Sequence, residues 1–158
     1  MFYAILTVFV ATIVGLDQWT KWLTVQNLPL HADGASVFGI FHITHEENTG
    51  AAWSMLEGQT WLFIVMAVVF VVLLGVMIWK KWITKKFEFI CLAAILGGAI
   101  GNLIDRIATG RVVDMICLDF IRFPVFNVAD CFITCGCLAL VVYILFSGRS
   151  KKIDEAEG

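Results

Sequence analysis

Residues 61–79 carry no charge, and Trp61 and Trp79 stand at the two ends. A helix needs roughly 20 mostly apolar residues to cross a bilayer core about 30 Å thick. This stretch has that length, with aromatics where a membrane interface favours them. Three other stretches follow the same plan. Residues 1–16 are charge-free, and a helix begun there can continue through Asp17 and Lys21 to about Leu23. Residues 89–104 form a shorter, glycine-rich stretch. Residues 131–148 are charge-free, and their helix is expected to begin just after Pro124. The reading is one membrane-embedded domain over 1–150, with helices at about 2–23, 61–79, 87–106 and 126–147 and a tail at 151–158.

Composition agrees with a membrane protein. Hydrophobic residues make up 60% of the chain and charged residues 15%, against about 25% charged in soluble domains. The net charge of −2 leaves no basic face for nucleic acid. Five cysteines in no regular spacing do not make a disulfide framework, and none are paired as Cys-x2-Cys for zinc. They read as free thiols serving as small hydrophobes. No basic residue precedes the first apolar stretch, so it reads as a retained helix and not as a cleaved leader.

Lysine and arginine set the expected orientation. Lys80, Lys81, Lys85, Lys86, Arg149, Lys151 and Lys152 fall on one side of a four-helix chain, and Lys21, Arg106, Arg111 and Arg122 on the other. That bias puts both termini and the tail in the cytoplasm and turns segments 25–60 and 105–125 outward. In 25–60, β-branched and aromatic residues with partial alternation through Phe41, Ile43 and His45 suggest short strands, then a turn at "ENTG". Segment 105–125 reads as a short loop. The fold class is therefore an all-α membrane bundle of four transmembrane helices with a small extracytoplasmic β-rich insertion.

The polar residues of such a chain need reasons. Asp17 and Lys21 share a helix face and read as an interfacial ion pair or as support for a site. Gly97 and Gly101 have the small-xxx-small spacing of close helix packing. Asn102 and Arg106 continue from Gly98 along that seam; Arg106 reads equally as snorkelling to headgroups or facing the bundle interior. Turn chemistry alone explains Asn48 and Gly50. Asn127 is a candidate N-cap, with Asp130 its third-position acid. Asp114 follows helix 3 and Asp130 opens helix 4, so adjacent helices would bring the two carboxylates together. Two carboxylates in contact share one proton: one member can take a proton from water while the other polarises a carbonyl. Asp119, in the same loop, is expected to meet only water and to be non-catalytic. His42 and His45 would point to opposite faces of a strand, which disfavours joint metal ligation.

"DQWTK" (17–21), "NTGAAW" (48–53), "GGAIGNLIDR" (97–106), "GRVVD" (110–114) and "FNVAD" (126–130) together resemble one family, the bacterial lipoprotein signal peptidases or signal peptidase II. The motifs stand in the family's order over nearly the whole chain. Two positions depart from the family's habit: Trp53-Ser54 replaces Phe-Gly, and Met115 stands where an aromatic is common.

The resemblance implies an aspartic endopeptidase of the bacterial inner membrane, without metal or cofactor. It implies removal of signal peptides from prolipoproteins, with the cut before a diacylglyceryl-modified cysteine. The catalytic pair carries over to Asp114 and Asp130. Asp17, Lys21, Asn48, Asn102, Arg106 and Asn127 carry over as substrate-binding or supporting residues, and Asp105 and Ala129 as structural support. The expected partners are the lipid-modified prolipoprotein and membrane lipids, with a monomer as the working unit. A small proton- or ion-coupled transporter is the alternative, and would want acids near the membrane midplane and internal repeats. A non-catalytic four-helix adaptor would need no acid pair.

Overall fold

The computed structural model describes residues 1–50 and 58–154. Its helices are α1 (Phe2–Asn27), α2 (Thr60–Trp79), α3 (Lys86–Ala108) and α4 (Val128–Asp154). All four are long and apolar enough to cross a membrane. Three short strands, β1 (Asp33–Val37), β2 (Phe41–Asn48) and β3 (Val112–Leu118), form an antiparallel sheet in the order β1-β2-β3. Chain direction alternates from helix to helix. The C-terminal ends of α1 and α3 and the N-terminal ends of α2 and α4 therefore share the end that carries the sheet.

Helix α3 is central. It packs on α1, α2 and α4 and holds most of the buried helical residues. Its glycines allow this. A Cβ on Gly97 would lie 2.9 Å from Ile13 Cβ, and one on Gly101 would lie 2.5 Å from Asp17 Oδ2, both on α1. One on Gly98 would strike the carbonyl oxygen of Ala129 on α4. The small-residue seam therefore has two sides, and α3 meets α1 on one and α4 on the other. Helix α2 buries only Leu74 and presents Val65, Val68, Val69, Val72 and Leu73 to the surroundings. In a bilayer that face belongs to lipid, where satisfied backbone and apolar side chains cost nothing.

Segment 105–125 is not the plain loop that its position between helices suggests. Val112–Leu118 is β3, and it pairs with β2 from Phe41↔Leu118 to Asn48↔Val112. Val112, Asp114 and Met115 are buried along it. Helix α4 also starts two residues later than hydropathy suggests, because Phe126 is still bridged to Ile116. At its other end α4 runs on to Asp154, into the region expected to be a tail. Helix α1 likewise extends past Leu23 to Asn27. A bulge between Ile43 and Glu46 lets the consecutive residues Thr44 and His45 both turn inward. His45 Nδ1 donates to Leu28 O at 2.8 Å and docks the sheet on the exit of α1.

The α1–α3 crossing tolerates no side chain at Gly101. Gly101→Val is expected to lower the thermal unfolding midpoint in detergent by several degrees, as core overpacking does. Gly15→Ala, where nothing lies within 4 Å of the new Cβ, is expected not to lower it.

Candidate active site

A groove of about 580 Å³ opens at the sheet end of the bundle. Phe63, Val112, Leu118, Phe123–Phe126 and Ile133 make it largely apolar. Its polar lining comes from Asn48, Asn102, Arg106, Asp114 and Asp130, with Cys131, Thr134 and Cys135 along α4. Asp114 lies on β3 and Asp130 in the first turn of α4, two elements that separate in sequence and meet here.

The amides between the two acids explain the meeting. Asn127 Nδ2 donates to Asp114 Oδ1 at 2.6 Å, and Asn127 Oδ1 accepts the Asp130 backbone N–H at 2.9 Å. Asp130 Oδ2 accepts the Asn127 backbone N–H at 3.2 Å, which completes a reciprocal cap on α4. Asn102 Nδ2 donates to Asp130 Oδ1 at 2.8 Å. Asn48 Nδ2 donates to Asp114 Oδ2 at 2.9 Å. Asp130 is thus a helix-capping acid and a groove acid at once, so the two readings of it do not compete.

Burial raises the Asp114 carboxyl, and the neighbouring charge of Asp130 adds to the rise, while hydrogen bonds from Asn48 and Asn127 oppose it; the result is about 6. A buried carboxyl next to a second one holds its proton to higher pH. That is the electrostatic state a pair needs if one member is to give a proton while the other takes one.

Behind the acids lies a buried ionic cluster. Lys21 Nζ lies 2.7 Å from Asp17 Oδ2 and 2.8 Å from Asp105 Oδ2, and donates to Asn102 Oδ1 at 2.9 Å. Its contact with Asp105 is an ion pair without hydrogen-bond geometry. Asp17 Oδ1 accepts the backbone N–H of Ala129 at 2.9 Å and so helps to cap α4. Asn102 Oδ1 also accepts from Asn127 Nδ2 at 3.1 Å. The Asp17–Lys21 pair is therefore no surface anchor; both residues are buried and tie α1 to α3 and α4.

Arg106 turns inward. Its guanidinium donates to Gly50 O at 3.1 Å and stacks on Phe63 with Cζ 4.5 Å from the ring centroid. Gly50 N–H in turn donates to Asn48 Oδ1 at 2.8 Å. Arg106 thus fixes the turn from which Asn48 reaches Asp114. Ala51, Ala52, Trp53 and Ser54, which complete the "NTGAAW" motif and its departure, lie outside the described residues. Met115, the other departure, is buried in the sheet.

Two residues that the sequence reading did not single out brace the surroundings of the site. Gln18 Nε2 donates to Gly101 O at 3.1 Å and to Asp105 Oδ1 at 2.8 Å. It stands inside "DQWTK", but nothing in that motif names its partners on α3. Thr60 Oγ1 donates to Gly110 O at 2.9 Å and ties α2 to the turn before β3. One expectation is corrected. Asp119 does not meet only water: it accepts hydrogen bonds from Ser36 Oγ and from His42 Nδ1, the latter at 2.6 Å. The bond from Ser36 and then that from His42 hold its carboxyl below the ordinary value, and Asp119 raises the His42 imidazole in return. Asp119 belongs to the sheet's own bracing.

Fold and site together define a class: a multi-pass membrane enzyme with two carboxylates at the polar end of an apolar groove. Residues 9–146 match the signal peptidase (SPase) II family. A lipoprotein signal peptidase of Enterococcus faecalis is 42% identical over 142 residues, covering 90% of this chain and 88% of that protein. One from Geobacillus kaustophilus is 40% identical and covers 92% of this chain and 96% of its own length. A solved bacterial membrane enzyme superposes with a TM-score of 0.88 at 27% identity, covering 94% of this chain and 92% of that chain. The chain belongs to the signal peptidase II family, and it is a protease. Neither the comparisons nor the clustering of the acids at one end supports the transporter reading.

Removing the Lys21 ammonium strands the buried Asp17 carboxylate and the largely buried one of Asp105. Lys21→Met is expected to destabilise the protein by about 3–5 kcal/mol, read by thermal unfolding in detergent, with partial recovery in Lys21→Met/Asp17→Asn. Asn48→Ala removes a bond that favours the Asp114 carboxylate, so an infrared titration of that carboxyl is expected to move to higher pH. A titration that stays in place or moves down contradicts that role for Asn48.

Proposed function

We propose that this protease removes signal peptides from diacylglyceryl-modified prolipoproteins, cutting on the N-terminal side of the lipidated cysteine. The observation that carries the reading is the convergence of Asp114 and Asp130 on one pair of amides at the polar end of an apolar groove. Such a groove suits a signal-peptide helix that enters sideways from the bilayer with its acyl chains still in lipid. The names of the relatives, lipoprotein signal peptidases, support the same substrate class.

In this mechanism a water between the two carboxyls is the nucleophile. The ionised member of the pair takes its proton as it attacks the scissile carbonyl. The protonated member donates to the carbonyl oxygen, where negative charge develops. Proton transfer to the leaving amine then completes hydrolysis, and no covalent intermediate forms. Asn127 and Asn102 hold Asp130, while Asn48 and Asn127 hold Asp114, so neither acid reorients during the step. Arg106 keeps the Asn48 turn against the groove.

Basic residues between α2 and α3 and after α4 favour a cytoplasmic location for both termini, which puts the sheet and the acids at the outer face. The working unit in this reading is a monomer. The chemistry requires no cofactor or metal.

The test is cleavage by purified protein in lipid, with a diacylglyceryl prolipoprotein and its unlipidated form. The lipidated form is expected to be cut and the unlipidated form to react far more slowly. Asp114→Asn and Asp130→Asn should each lose on the order of 10²–10⁴-fold or more in rate while still inserting and folding. Asp119→Asn should retain activity within about tenfold of wild type, because Asp119 reaches neither acid. Full activity in either of the first two variants sinks the assignment, and inhibition by a chelator points to a metal mechanism.

A further inference from the structure

The hairpin between β1 and β2 is built against its own turn chemistry. Ile40 N–H donates to Val37 O at 3.0 Å and closes a two-residue turn. The central residues, Phe38 and Gly39, have φ of 56° and 68°. Positive φ at both positions is the type I′ geometry that asparagine–glycine favours. A phenylalanine gains nothing from the left-handed region. It gains nothing from packing either, since Phe38 is 93% exposed. Neither local conformation nor the protein core accounts for this side chain.

Phe38 has apolar company. Ile40, Phe120 and Ile121 are 52%, 64% and 49% exposed. Asp119 N–H donates to Ile40 O at 2.9 Å, and Phe41 pairs with Leu118, so the hairpin tip and the segment after β3 lie side by side at one corner of the sheet. Arg122 follows directly and is exposed. The corner continues into the groove through Leu118 and so reaches the membrane-crossing surface of α4. Exposed apolar side chains around one long cation suit a lipid interface. The rings sink below the phosphates, and the guanidinium reaches them.

We propose that the corner formed by Phe38, Ile40, Phe120 and Ile121 inserts into the bilayer leaflet at the sheet end of the bundle, with Arg122 on lipid phosphate. The sheet is then anchored twice: on the exit of α1 through His45, and in lipid through its hairpin tip. Because β3 runs between this corner and the groove, the second anchor sets the depth at which Asp114 is held. The inference rests on the four helices crossing a membrane, and not on the proposed substrate.

Two measurements test it. In the first, Phe38→Cys is introduced after replacement of the five native cysteines, labelled with an environment-sensitive fluorophore and reconstituted into phosphatidylglycerol–phosphatidylethanolamine vesicles without substrate. Quenching by bromine-bearing lipids and protection from aqueous iodide are expected. Ala35→Cys, exposed within β1, should show the opposite pattern. Iodide access at position 38 overturns the proposal. So does protection that grows with the protein-to-lipid ratio, which marks a second copy, or protection that needs lipidated substrate, which marks the substrate's own acyl chains. The second measurement uses the unaltered chain in vesicles carrying a phospholipid with a photoactivatable acyl chain. Adducts are expected on the peptides containing Phe38 and Phe120–Ile121; adducts on α2 with none at this corner overturn the proposal.

Discussion

One buried ammonium organises the polar half of this molecule. Lys21 draws Asp17 and Asp105 to it and orients the side-chain oxygen of Asn102. With that oxygen committed to Lys21 and Asn127, the Asn102 amide nitrogen faces Asp130. Asp17, neutralised by Lys21, is free to cap α4 at Ala129. Taking these charges out of water is costly unless they are paired and hydrogen-bonded throughout. The arrangement answers that requirement by drawing its partners from three helices, and so makes the position of α4 dependent on α1 and α3.

Asn127 then links that base to the two acids. It closes the cap of α4, and its amide nitrogen bridges Asp114 and Asn102. An asparagine can do this because it carries both donors and an acceptor on one rigid group. The sheet contributes what the helices cannot. A strand brings Asp114 to the groove mouth on a paired backbone, and Arg106 holds the neighbouring turn so that Asn48 can reach it.

Much of this was legible in the sequence, in proportion to how local the cause was. Residues 61–79 announce a membrane helix by themselves, because length and apolarity are properties of one segment. The glycines at 97 and 101 announced close packing, though not that Gly98 serves a second neighbour. Strand β3 is not legible locally, because its partner, β2, lies far away in the chain and an acid in mid-strand breaks the apolar pattern. The capping reading of Asp130 was sound but concealed nothing, since cap and groove acid are one role in space. Asp119 looks solvent-facing in the sequence because its partners, Ser36 and His42, come from strands that only the fold brings near. Gln18 stands inside "DQWTK", yet a polar residue beside Asp17 looks like any interfacial residue until α3 is packed against it.

Asp114 lies close enough to Asp130 to feel its charge. Burial and the charge of Asp130 both raise the Asp114 carboxyl. An infrared pH titration of the protonated carboxyl in wild type and in Asp130→Asn tests this coupling without relying on any substrate. Neutralising position 130 removes the repulsion, so Asp114 should lose its proton at lower pH than in the wild type. A titration that is unchanged, or that moves upward, contradicts the pairing on which the account depends.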